Sequence, residues 1–164
     1  IGGAPAKVGL YPNLRDDVWL WGGGIDDIEY AIVHGRNGFM PAFGEVLGDT
    51  KIEQLAHHVL SLSNHPVDAD KAAAGKAIFE GKEGGCHHCH TAAGTGLHSQ
   101  GAPALTDSVW TIADVPGANS DAARIDLVEQ VIKNGIARQM PAWSSRLDET
   151  QIKLLTVYVH SLGN

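Results

Sequence analysis

The chain has 164 residues, 43% of them hydrophobic, and a formal net charge of −7, a size that suits one ordinary domain or two small ones. The acidic balance argues against nucleic acid as a partner and permits a basic protein. No apolar run approaches the roughly 18–20 residues that span a bilayer, and no signal peptide is visible, so a mature or trimmed soluble piece is expected.

In chain order, Ile25, Ile28, Ala31 and Ile32 share one face of a helix that Gly35 terminates. A loop carrying Met40-Pro41-Ala42-Phe43 follows, and Thr50-x-x-Glu53 has the form of a capping box. The helix it opens turns Ile52, Leu55, Ala56, Val59 and Leu62 inward. His65-Pro66-Val67-Asp68 then breaks the pattern. Ala72 to Glu80 reads as a helix, ended by Gly84-Gly85 just before Cys86-His87-His88-Cys89-His90. Ile125, Val128, Val131 and Ile132 form another helical face before Gly135, and Asp148 with Gln151 caps a last helix lined by Ile152, Leu155, Val159 and Leu162. Nothing alternates with period two for long enough to be a strand, so the expected class is mainly α.

Much of this is said twice. Ile25-Asp26-x-Ile28 returns as Ile125-Asp126-x-Val128, Gly35 as Gly135, and Met40-Pro41-Ala42-Phe43 as Met140-Pro141-Ala142-Trp143, each at an offset of 100 residues. Leu47, Thr50, Ile52 and Leu55 return at the same offset, as does Ser61-Leu62. Upstream, Leu14-x-Asp16-x-Val18-Trp19 returns as Leu105-x-Asp107-x-Val109-Trp110 at an offset of 91, so the second unit carries nine extra residues. A register held this long implies two homologous domains, 1–65 and 66–164.

The pentapeptide at 86–90 carries the chemistry. Two cysteines three apart with a histidine directly after them form the attachment signature of c-type haem. Each thiol adds across one vinyl group of the porphyrin, and the adjoining imidazole of His90 becomes an axial iron ligand. His87 and His88 occupy the two free positions. A zinc site would need a second ligand pair, although the chain has only these two cysteines. A redox dithiol of the thioredoxin kind would need strand–helix alternation. The only two methionines, Met40 and Met140, share one setting, five residues past a helix-ending glycine and directly before proline. Proline stiffens the backbone that carries the thioether, and thioether ligation raises the reduction potential. Met140 is the expected ligand opposite His90, with His98 and His160 as rivals, and Met40 the expected axial ligand of a first-domain haem.

Gly75 and Phe79, set against Leu155 and Tyr158, resemble the crossed terminal helices of class I cytochromes c. More narrowly, the stretch from Pro12 to Gly23 with its Val18-Trp19-Leu20-Trp21-Gly22-Gly23, the stretch from His34 to Phe43, and Tyr158-Val159-x-Ser161-Leu162 resemble the dihaem cytochrome subunit (subunit III) of cbb3-type haem–copper oxidases. The resemblance covers nearly the whole chain, and the Trp-rich stretch is its most specific part. It implies a tandem repeat of two class I cytochrome c-like domains, the first truncated at its N-terminus. Two departures stand out: Trp110-Thr111-Ile112-Ala113-Asp114 replaces the usual continuation to Gly-Gly, and the first unit has no Cys-x-x-Cys-His. In the second unit the motif histidine precedes Leu105 by 15 residues, and the same distance before Leu14 falls just outside the chain. The expectation is therefore a parent chain that carried the first motif and a membrane anchor; a degenerate first domain without haem is the alternative.

An iron closed by histidine and methionine passes single electrons rather than activating a small molecule. The resemblance implies one covalent haem c at Cys86 and Cys89, a second in the first domain, and no catalysis by the chain on its own. Electrons would come from a donor cytochrome c or a quinol-oxidising complex and go to the other subunits of an oxygen-reducing oxidase. The work would be done on the periplasmic side of a bacterial inner membrane, reached only through a segment absent from this chain. The rivals are a free-standing periplasmic dihaem shuttle, a haem sensor or enzyme in which Met140 dissociates, and a zinc-binding interaction module.

Overall fold

A computed structural model of the chain describes residues 11–163. The first ten residues of the expected domain 1–65, and Asn164 at the end of 66–164, lie outside the described residues. The described elements are α1 (Ile25–His34), β1 (Arg36–Met40), α2 (Gly44–Leu62), α3 (Ala69–Glu80), α4 (His87–His90), α5 (Asp121–Asn134), β2 (Ile136–Met140) and α6 (Glu149–Leu162), with a 3-10 turn at His98–Gln100. The chain is mainly helical, as its periodicity predicts.

Local sequence accounts for most boundaries. Asp68 caps α3 by accepting from the Lys71 N–H at 2.9 Å, and Ser120 caps α5 through Ala123 at 3.1 Å. The capping box of α6 is complete: the Gln151 N–H donates to Asp148 Oδ1 at 2.9 Å while the Asp148 N–H donates to Gln151 Oε1 at 3.0 Å. α1 and α5 stop at Gly35 and Gly135, whose φ of +71° and +66° lets the backbone turn off the helix at no side-chain cost. α2 departs from expectation. It begins at Gly44 and kinks at Gly48 (φ +71°), the counterpart of Asp148, so its main length starts where α6 does. The repeated Leu-x-Asp-x-Val element also keeps its geometry, with Val18 N–H on Asp16 Oδ1 and Val109 N–H on Asp107 Oδ1.

Two features overturn sequence expectations. The segments bearing the methionines are strands rather than loops. β1 and β2 pair antiparallel, with Arg36 opposite Met140, Gly38 opposite Arg138 and Met40 opposite Ile136. Neither alternates in residue polarity, and each finds its strand partner in the other, so no local signal could report them.

The helix crossing is the second correction. α3 packs on α2, whereas α6 packs on α1. Gly75 lies against the Gln54 carbonyl and His58 Cβ, and Phe79 meets the His58 ring edge-on at 5.0 Å between centroids. Leu55 and His58 are the 100-residue counterparts of Leu155 and Tyr158. The expected crossing forms, but with the equivalent helix of the other repeat. Two cores result. The larger joins Leu47, Ile52, Leu55, Val59 and Leu60 of α2 to Phe79, Val115, Val128 and Ile132. The smaller joins Ile28 and Ile32 of α1 to Ile152 of α6, covered by Trp19, Trp143, Leu147 and Val159. The larger core thus draws on both sides of the 65/66 division.

Candidate functional site

Cys86 is the N-cap of a single helical turn, α4, and Cys89 lies within it, after the glycine-rich break at 84–85. The Cys89 and His90 N–H groups both donate to the Cys86 carbonyl, at 3.2 and 2.9 Å. This winding brings both sulfurs to one side of a short helix, the arrangement a two-point tether to one macrocycle edge requires. Cys86 is half-buried beside the larger core, and Cys89 is exposed. Burial pushes the Cys86 thiol up to about 11.

His90 is half-buried, its ring 6.5 Å from that of Phe79. Its Nδ1 lies 3.0 Å from the Pro103 carbonyl oxygen. A carbonyl only accepts, so Nδ1 carries the proton and Nε2 is left with a bare lone pair. Burial lowers the affinity of the ring for a second proton, outweighing the pull of the Pro103 carbonyl. A neutral imidazole, oriented by a second-shell carbonyl, is the form that ligates iron. The backbone around it is held by a close loop: Gly96 N–H donates to the His90 carbonyl at 3.0 Å and Leu105 N–H to the Gly94 carbonyl at 2.7 Å.

The neighbouring side chains suit a flat, mostly apolar group with acidic edges. Leu105, Trp110, Ile125, Leu127 and Val131 pack half-buried against the larger core, as Cys86 does. Trp110 Nε1 is buried with no acceptor among the described residues. Sequence reasoning registers Trp110 only as part of a repeat; the burial of its indole N–H is visible only in the fold. His57 and His58 were missed altogether. His57 Nδ1 accepts from the Asp68 N–H at 3.2 Å, joining α2 to the start of α3, and His58 is the aromatic of the helix crossing.

Of the two spacer histidines, His87 Nδ1 lies 3.2 Å from the Phe79 carbonyl oxygen and its ring lies tilted against that of His88 at 4.1 Å between centroids. His98 is exposed in the 3-10 turn, and His160 lies in the last turn of α6. Among the described residues, no three or more His, Cys, Asp or Glu side chains gather as they would for a bound ion. The methionines separate. Met40 is half-buried and packs on the larger core, with Cys86; Met140 is 39% exposed.

Comparison with known proteins gives a consistent result. The family described as "Cytochrome C oxidase, cbb3-type, subunit III" matches residues 70–159. The chain is 40% identical to the cbb3-type cytochrome c oxidase subunit FixPc of Rhizobium leguminosarum bv. viciae, over 93% of this chain and 52% of that protein. It is 38% identical to subunit CcoP of Cereibacter sphaeroides, over 98% of this chain and 55% of that protein. With subunit FixP of Bradyrhizobium diazoefficiens the identity is 42%, over 99% of this chain and 55% of the other. The chain thus spans about half the length of the curated relatives it matches.

Proposed function

Because the chain belongs to the cbb3-type cytochrome c oxidase subunit III family, we propose that it carries electrons through covalently bound c-type haem to an oxygen-reducing oxidase. A c-type haem, when bound, supplies a one-electron iron couple. Cys86 and Cys89 would hold it as thioethers, and His90 through Nε2 and a methionine of one of the two Met-Pro-Ala elements would ligate its iron. Repeat position alone assigns that role to Met140, and gives Met40 to a haem of the first unit. The observation that carries this reading is the Nδ1–Pro103 hydrogen bond of His90, which frees Nε2 on the residue directly after the paired cysteines.

In this reading the chain is two class I cytochrome c-like units, 1–65 and 66–164, and performs no oxygen chemistry itself. It takes electrons from a donor cytochrome c or a quinol-oxidising complex and delivers them to the catalytic subunit. It works on the periplasmic side of a membrane; no helix among the described residues is long and apolar enough to cross one. The test is to add the haem-loaded, reduced chain to oxidase lacking subunit III. Oxidation of the chain at a rate that depends on the oxidase, with a ferrous spectrum unmoved by carbon monoxide, is expected. A carbon monoxide-sensitive spectrum would contradict the electron-relay role, and oxidation by cytochrome c alone would leave a free-standing shuttle.

A further inference from the structure

The repeat explains only half of the Trp-rich stretch at 18–23. Trp19 returns as Trp110, but at the same offset of 91 the place of Trp21 is taken by Ile112. Arg36 is equally one-sided, since Ile136 stands at the 100-residue offset. These two unmatched residues meet. The Arg36 guanidinium carbon lies 5.0 Å from the centre of the Trp21 ring and 4.5 Å from that of Tyr30 on α1. Arg36 Nη2 also donates to the Asp27 carbonyl at 3.3 Å, which fixes the cation to the same helix. Arg36 Nε is buried, and a cation over an aromatic face gains most once it has lost its water.

Trp21 in turn covers the loop that follows the Cys-x-x-Cys-His motif. Its indole occupies the place that a Cβ on Gly101 would take, and Gly101 is left-handed, with φ +60°, where glycine is unstrained. The next residue, Ala102, exchanges both backbone hydrogen bonds with Leu97, at 3.0 and 3.2 Å, in an isolated bridge. The backbone from Ala102 to Ala104 lies hard against Gly96, whose N–H donates to the His90 carbonyl at 3.0 Å. Inside this closed loop sits Pro103, the carbonyl that accepts from His90 Nδ1 at 3.0 Å. The seat of the indole is thus two residues from the acceptor that orients the histidine.

We infer that Trp21, held in place by Arg36, is a positioning residue for His90: it covers the loop that keeps the Pro103 carbonyl on Nδ1. The inference rests on the haem reading above, in which His90 ligates iron through its other nitrogen. An outer carbonyl fixes a ligand's tautomer and basicity only while it stays within hydrogen-bond reach. A short loop closed by one bridge opens locally unless something packs on it, and among the described residues the side chain packed on Gly101 is Trp21. Trp21 and Arg36 are needed together, because the indole is tied to α1 through the guanidinium.

The experiment uses the full haem-loaded chain in the ferrous state, with histidine labelled by nitrogen-15, and follows solvent exchange of the His90 Nδ1 proton by NMR. In Trp21→Ala that exchange should accelerate about tenfold or more, as local opening of the loop requires, while the amide protons of α3 keep their rates. Arg36→Gln, which leaves the indole present but untied, should give a smaller acceleration. Trp21→Phe keeps an aromatic face for both Arg36 and Gly101 and should restore most of the protection. The Arg36→Gln and Trp21→Phe measurements stand even if Trp21→Ala folds poorly. Unchanged exchange in both Trp21→Ala and Arg36→Gln overturns the inference and leaves the haem reading intact. So does an acceleration shared equally by the α3 amides, which would make Trp21 a general support of the fold. A chain that acquires no haem removes the reading and the inference with it.

Discussion

At the scale of single residues, burial disfavours the charged form of two imidazoles, His58 and the half-buried His90. Burial holds the His58 ring below its ordinary value; Glu80 opposes this and Lys76 adds to it. A histidine with a depressed folded value favours the folded state above the ordinary imidazole range near 6.5. That contribution is lost as pH falls from there toward the folded value, because the unfolded chain takes up the proton first. Stability of the chain should therefore decline below about pH 6.5, with a slope from one site of at most about 1.4 kcal/mol per pH unit. The His58→Phe variant should show a flatter decline in denaturant titrations repeated across pH, and an unchanged slope would remove His58 from the account. His90 is different: its Nδ1 proton is fixed by Pro103 and its other nitrogen is reserved. His90→Ala should leave the thioether tether intact and the iron high-spin, which the absorption spectrum reads directly. The motif histidine was legible from spacing alone. The hydrogen bond that sets its tautomer was not, because Pro103 lies 13 residues away.

At the scale of elements, the exchange of terminal helices makes a sharp claim about equivalent positions. Leu55 is 1% exposed in the larger core and its counterpart Leu155 is 37% exposed. Leu55→Ala should cost about 2–5 kcal/mol, the range for emptying a buried leucine site, and Leu155→Ala clearly less. Comparable losses at both positions, measured by urea unfolding, would contradict the crossing described. At Gly75 there is no room for a Cβ against the Gln54 carbonyl, so Gly75→Val should destabilise by about 1–3 kcal/mol or more through forced separation of α2 and α3. The sequence made most of this legible in kind. Helical faces at 3.6-residue spacing, Asp and Ser caps and the terminating glycines announced the helices, and Gly75 with Phe79 announced a crossing. The sequence did not say which copy of the partner helix makes it, since Leu55 and Leu155 stand in equivalent registers. The strands escaped for a related reason, because Arg36–Met40 is extended only through pairing with Ile136–Met140.

At the scale of the molecule, the sequence repeat and the packed units do not coincide. The linker at 65–68 divides the repeats, although α2 on one side of it packs on α3 and α5 on the other. Cutting the backbone in this linker should leave two fragments that elute together on gel filtration, with the haem spectrum retained. Separation into independent folded pieces would mean each repeat closes on itself. Surface ion pairs add little to the union. Lys71–Glu53 at 2.6 Å joins α3 to α2 and Lys133–Asp49 at 3.0 Å joins α5 to α2, each with a well-exposed carboxylate, and such pairs contribute about 0–1 kcal/mol. The apolar core does the joining, and it is the same core that backs Cys86 and Met40.

The most direct measurement on the whole account is the haem content of the purified chain, by pyridine haemochrome assay beside an intact mass under denaturing conditions. One haem per chain, retained through acid–acetone extraction and lost when Cys86 and Cys89 are both replaced by alanine, is the predicted result. A colourless chain, or a haem that extracts freely, would contradict the claim that these two sulfurs hold an electron-carrying macrocycle.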